Sequence, residues 1–266
     1  MPGYFNDGVV DLELGQHVWA ADSTLRNNIG LCAWCDYASL MDSGGGIMTL
    51  EVGGQRCRDN RGDAEMYMFE LFSALATSGA GTLGIQDMRG YQAVYNHSVC
   101  VGAPGRVPAA NEDASLADMR FDFYTAEKSV EGPWGAVPAA PGPYGGTATL
   151  QDYTAGGVAL GNFPTEMRIE MRRNFPMRVI PRARGARARG PASCAQIAFS
   201  ITTALHEPLD SLPEAMSDLY RTLGPRAVAL AGNGNVFPDV ILEAASPEFS
   251  DRHHASMTIQ FLQEVA

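Results

Sequence analysis

The stretch Cys32-Ala33-Trp34-Cys35 is where a chemical reading begins, because two thiols three residues apart can hold zinc or an iron–sulfur cluster, or cycle as a dithiol. The redox use places the pair at a helix start, where the helix dipole lowers a thiol pKa. Here the pair lies inside the apolar alternation LCAWCDY with no helix signal behind it. In a strand, residues i and i+3 point to opposite faces, so the two thiols diverge. Cys57 and Cys100 have no ligand spacing relative to them, and with Cys194 the cysteines number five, odd and scattered. Reduced, packed thiols are the expectation, and a metal or redox protein built on Cys32, Cys35, Cys57 and Cys100 is the weaker alternative. His253-His254, beside Asp251, falls in a polar turn with no third ligand at metal spacing. Acids such as Asp63 and Glu70 read as solvated helix positions. The G-x-S-x-G, H-E-x-x-H and Walker A patterns are absent, and Gly44-Gly45-Gly46 precedes a strand, as a turn does. No catalytic residue, cofactor or metal is expected, and the chain reads as a non-enzyme.

Arginine carries more information. The basic residues are eighteen Arg and the single Lys128. Between Arg168 and Arg189 lie eight Arg against one acid, Glu170, a segment of +7 in a chain of net charge -11, so the remainder is -18. Within it, RARGARAR is palindromic about Gly185-Ala186, and Gly at the first position of a two-residue turn suits type II′. A hairpin closed there sets Arg184 opposite Arg187 and Arg182 opposite Arg189, on one face. Like charges directly opposite each other cost about 0.2–1 kcal/mol per pair, so this hairpin needs an anionic partner. Carboxylates of another copy meet that need, since a planar guanidinium forms two-point contacts with carboxylate. Arg178, Arg182, Arg184, Arg187 and Arg189 are the candidate contacts between copies; phosphate is the second choice, because so acidic a body disfavours general nucleic-acid affinity.

The elements that would carry this hairpin come in two matching series. A Pro/Gly-rich stretch, 130–147, reads as a linker between domains over 1–129 and 148–266. In the first, IMTLEV reads as a strand and DAEMYMFELFSALATSG as a helix capped by Asp63, closed at Gly79, with Met68, Leu71, Phe72 and Leu75 on its buried face. GTLGI, YQAVYNHSVCV and LADMRFDFYTAE follow as strands, the last alternating Met119, Phe121 and Phe123 against polar neighbours. In the second, CAQIAFSITT is followed by the helix DSLPEAMSDLYRTLG with a Ser211/Glu214 capping box, then RAVALAG, FPDVILEAA and ASMTIQFLQEV. Met216, Leu219, Tyr220 and Leu223 repeat the first stripe at a constant offset of 148. Five matched elements at similar spacing indicate internal duplication. The expected fold class is α+β, mostly β: tandem β-sandwich or split-barrel units, each with one packed helix, and a projecting hairpin.

Composition supports this and excludes other classes. Hydrophobic residues make up 45% of 266, enough for a core, while no apolar run approaches the ~20 residues of a bilayer span and the N-terminus lacks signal-peptide character. The chain is expected to be soluble and made in the cytoplasm. The order helix, GTLGI, YQAVYNHSV, MRFDFYTAE, with its echo RAVALAG, FPDVILEA, MTIQFLQEV, resembles the tube domains of tailed-bacteriophage tail tube, distal tail and baseplate hub proteins. The resemblance implies a structural virion protein of the tail, made in the host cytoplasm, whose subunits form six-fold rings around an acidic channel. DNA would pass without specific binding, and other tail or baseplate proteins would be neighbours. Two tube domains per chain imply a trimer of pseudo-six-fold symmetry. The tandem arrangement suits a tail tube subunit and, alternatively, a distal tail or hub protein at the tube end.

Overall fold

A computed structural model describes residues 3–27, 46–86, 92–107, 115–125, 127–131, 151–160, 162–173, 177–179, 186–188, 195–205, 212–249 and 255–265. The protein is mostly β, with two helices against an open antiparallel sheet. Its first series comprises β1 (Gly3–Asn6), β2 (Asp11–Gly15), β3 (His17–Asn27), β4 (Gly46–Cys57), α1 (Arg61–Thr77), β5 (Gly81–Gln86), β6 (Gln92–Val107), β7 (Leu116–Thr125) and β8 (Glu127–Glu131). The second comprises β9 (Thr154–Ala155), β10 (Val158–Ala159), β11 (Asn162–Arg173), β12 (Met177–Val179), β13 (Ala186–Ala188), β14 (Ala195–Leu205), α2 (Leu212–Leu223), β15 (Val228–Gly232), β16 (Asn235–Phe249) and β17 (Ala255–Val265). Val130 and Glu131 thus belong to β8, and the rest of the expected linker lies outside the described residues.

Pairing repeats over seven strands of each series; among the described residues, β8 on β6 and the β12–β13 pair stand outside the repeat. The first series runs β2-β1-β5-β6-β7-β4-β3 and the second β10-β9-β15-β16-β17-β14-β11, every pair antiparallel. Even the irregularities match. In β6, Tyr95 opposes Leu83 and Ser98 opposes Gly81, so one extra residue is accommodated and His97 adopts φ 55°. In β16, Phe237 opposes Leu230 and Val240 opposes Val228, with Asp239 at φ 54°. A positive φ is uncommon outside glycine, and a bulge bends its strand. Each long strand there leaves its short partner, β5 or β15, for its long one, β7 or β17. A second shift follows in both, between Cys100 and Gly102 and between Leu242 and Ala244.

The series join where β6 pairs β11, with Gly102 to Val107 opposite Arg172 to Met167. One hydrophobic core runs through both. Helix α1 lies over this seam, packing on β6 and β7 and also on β11, β14 and β17. Met68, Leu71, Phe72 and Leu75 are fully buried, and Phe69 reaches Phe237 edge-on at 5.1 Å and Phe199 at 5.9 Å. Gly105 permits this approach: a Cβ there would stand 2.8 Å from the Met68 sulfur and 2.9 Å from the Phe72 ring. In α2, Leu219 and Leu223 are buried, Met216 is partly buried and Tyr220 is 42% exposed, because α2 rests chiefly on β16 alone.

Two helix ends differ from expectation. Asn60, not Asp63, caps α1: its side chain accepts the Asp63 amide at 2.9 Å, and extended Asn60 aims its carbonyl-bearing side chain at that free donor. The helix closes at extended Ser78, and the Gly79 amide goes to Asp7 Oδ2 at 2.6 Å. Asp63 is buried in that first turn, not solvated, while Glu70 is exposed. Among the described residues, no helix is long and apolar enough to cross a membrane.

Candidate assembly surface

The arginine segment is described at β12 and β13, which pair antiparallel with Arg178 opposite Arg187 and Val179 opposite Ala186. The hairpin therefore does not turn at Gly185-Ala186 and does not set Arg184 against Arg187. Either register sets arginine against arginine at similar cost, so the charge palindrome does not select its own centre. Repulsion between facing arginines survives, with Arg178 in the place of Arg184. Arg182, Arg184 and Arg189 lie outside the described residues, as do Cys32, Cys35, Cys194 and His253-His254.

The described cysteines do not converge. Cys57 is opposite Leu116 and Cys100 opposite Phe123, so they stand seven residues apart along β7, roughly 23 Å at about 3.3 Å per residue. A metal held jointly by Cys57 and Cys100 is excluded by that separation. Among the described residues, no three metal-ligating side chains gather. Cys57 is exposed, whereas burial pushes the Cys100 thiol well up, its Sγ lying 3.5 Å from the Gly102 carbonyl. Iodoacetamide on the native protein, followed by peptide mass mapping, is expected to label Cys57 and to reach Cys100 only after denaturation.

Away from the helices, the sheet shows a polar face. Alternation on β7 buries Met119, Phe121 and Phe123 and turns Asp118, Arg120 and Asp122 outward; on β11 it buries Met167, Ile169 and Met171 and turns out Glu166, Arg168, Glu170 and Arg172. Each outward arginine of this central region meets a carboxylate: Arg106–Asp118 at 3.4 Å, Arg120–Glu51 at 3.2 Å, Arg168–Glu166 and Arg172–Glu170 at 2.8 Å. The bonds to Glu166 and Glu170 raise the guanidinium pKa values of Arg168 and Arg172. Asp122 is left as an additional acid, its carboxyl raised by partial burial and then by Glu51 and Glu170. Arg106, Arg120 and Arg168 border an open groove of about 660 Å³, with Gln55, Asp118 and Glu170.

The seam itself holds a buried polar cluster. Glu65 on α1 accepts Arg61 Nε at 3.0 Å, Tyr153 Oη, and Asn233 Nδ2 at 3.1 and 3.2 Å to its two oxygens. Tyr153 and Asn233 come from the second series, Asn233 opening a turn with Gly234 at φ 49° and 80°, the left-handed pair of a tight hairpin. All four residues are at most 2% exposed. Burial pushes the Glu65 carboxyl up against the opposing pull of Arg61, and burial followed by the Glu65 charge pushes the Tyr153 hydroxyl up. Arg173, also of the second series, donates Nη1 to the Leu75 carbonyl at 3.1 Å, closing the end of α1 across the seam. None of these was singled out from sequence; the Asn233-Gly234 dipeptide between two apolar runs was the one available signal.

Two long edges complete the surface. Among the described residues, β3 pairs only β4, and β16 from Ile241 to Phe249 pairs only β17. Their counterparts β11 and β6 pair each other. Such edges hold backbone amides and carbonyls that can accept another strand; on β16 the Ala245 amide is already taken by the Tyr220 hydroxyl at 2.9 Å. Compared with known proteins, the chain matches no family model, and no curated protein matches it.

Proposed function

We propose that the protein is a structural, self-assembling subunit, a tail tube protein of the tailed-bacteriophage kind, built from tandem copies of one β unit with a packed helix. The observation that carries this reading is the pair of edges. Within the chain, β6 of the first unit joins β11 of the second. Repetition of the same joint between chains sets β16 of one copy against β3 of the next. This is a head-to-tail contact, which closes into a ring when the rotation allows. Three chains supply six equivalent units, and the groove face, with its arginines neutralised by carboxylates, becomes a wall past which DNA slides without binding. The arginine hairpin then contacts acidic surface of the adjacent ring.

Negative-stain electron microscopy and sedimentation velocity of the purified protein test this. Uniform rings of three chains are expected. A chain that stays monomeric at high concentration in moderate salt overturns the reading.

A further inference from the structure

We infer that the Tyr220 hydroxyl is a latch on the outer edge of β16: it holds the Ala245 amide, and β3 of a second copy pairs there by displacing it. The inference rests on the ring reading above and adds a control to its joint.

The template is inside the chain. Matching bulges and pairings set β16 on β6 at a constant offset: Tyr95 with Phe237, Ser98 with Val240, Gly102 with Ala244 and Gly105 with Pro247. Ala245 therefore stands where Ala103 stands, and Ala103 lies opposite Met171 in the ladder that joins the two units. On the other side of the joint, Leu50 faces Phe123 as Phe199 faces Phe261. Leu25, opposite Met48, then takes the place of Met171, opposite Ile197. Among the described residues β3 is open on its outer side, the side that β11 turns to β6. Repetition of the joint between copies sets Ala245 of one chain opposite Leu25 of the next.

On β16 the edge is closed at that point. The Ala245 amide, on the outer side of the strand, donates to Tyr220 Oη at 2.9 Å. Two residues on, Pro247 faces the same side and has no amide to give, which is where an edge strand tolerates proline. Neither feature is present on β6. Phe72, the counterpart of Tyr220, has no hydroxyl, and Gly105 lets α1 close down, since a Cβ there would stand 2.8 Å from the Met68 sulfur and 2.9 Å from the Phe72 ring. Proline in that place holds α2 off; Tyr220 stays 42% exposed and its hydroxyl reaches the strand edge. A strand edge with free donors invites indiscriminate pairing, and capping a donor suppresses it. One such hydrogen bond is worth little net, so a strand that brings the Leu25 carbonyl together with the rest of its ladder displaces the hydroxyl.

The test compares wild type with Tyr220→Phe, which keeps the ring and removes the latch. Sedimentation velocity reads assembly, circular dichroism reads folding, and hydrogen exchange at the Ala245 amide reads the edge. Tyr220→Phe is expected to stay folded and, as a monomer, to exchange the Ala245 amide faster than wild type. Its concentration midpoint of assembly is expected to fall about threefold to tenfold, the worth of one net hydrogen bond. Thr24→Cys combined with Ser246→Cys, opposite each other in this register, is expected to give a disulfide between chains when the assembly is treated with an oxidant, and neither single variant is. A midpoint unchanged or raised in Tyr220→Phe, or an Ala245 amide that exchanges no faster, overturns the latch and leaves the ring reading standing. Assembly without that crosslink places the joint elsewhere and overturns the latch as well. A protein that associates in neither form overturns both.

Discussion

Glu65→Ala is expected to lower the stability of the folded chain by about 3–5 kcal/mol, the usual loss when one partner of a buried ion pair is removed. The alanine deletes the acceptor of Arg61, Tyr153 and Asn233 together, within a core where water does not replace it. Urea denaturation followed by tryptophan fluorescence and circular dichroism measures it. The paired change Arg61→Met with Glu65→Leu is expected to recover most of the loss, because an apolar pair of similar volume leaves no buried charge uncompensated. A single-variant loss below about 1 kcal/mol, typical of a lone exposed ion pair, would contradict the buried cluster. The pH dependence has a definite sign. Burial holds the folded carboxyl above its unfolded value, so the folded state keeps its proton longer. The stability contributed by the protonated carboxyl is full below the unfolded value and declines as pH rises through the folded one. Glu65→Gln removes that decline.

The cluster explains why part of the molecule was legible in sequence and part was not. The stripe Met68, Leu71, Phe72, Leu75 follows from helical period, and Met119, Phe121, Phe123 from strand alternation; both are local, and all seven side chains are buried. The order of elements in the two series was readable for the same reason. Arg61 and Glu65 fall on the same helix face as that stripe, Glu65 three residues before Met68 and seven before Phe72, and only their charge argues against a place inside. What buries them is the second series, folded against α1 from 88 and 168 residues away, at Tyr153 and Asn233. Local period gives the face but not the partners across such a seam. The same asymmetry separates Phe72 from Tyr220, equal in sequence position and unequal in cover. Among the arginines, composition identified a hairpin, but a charge palindrome has no energetic preference for its own centre: like charges facing each other repel in either register. For α1, Asn60 and Asp63 are both good capping residues three apart, and the chain direction before the helix decides between them.

Raising salt from about 0.1 M to about 1 M is expected to split stacked tubes into single rings while leaving the rings closed. Two contacts with different physics underlie the difference. In the proposed ring, the joint between chains is a backbone ladder with apolar cover, both insensitive to screening, and strong salt favours apolar burial if anything. In the proposed tube, the contact between rings rests on guanidiniums meeting carboxylates at an exposed surface, where the screening length falls from about 10 Å to about 3 Å over that range. A +7 segment on a -18 body is correspondingly sensitive. Electron microscopy across a salt series reads tube length and ring diameter separately. Replacing Arg182, Arg184, Arg187 and Arg189 by Ser is expected to give at low salt what the wild type gives at high salt: intact rings, unstacked. Tubes that survive 1 M salt, or rings that open at the same salt as tubes part, would remove the ionic role of the hairpin. Rings that never stack under any condition would move the protein to the end of the tube, as a distal tail or hub component with one ring per particle. There the arginine hairpin must meet the carboxylates of a different partner.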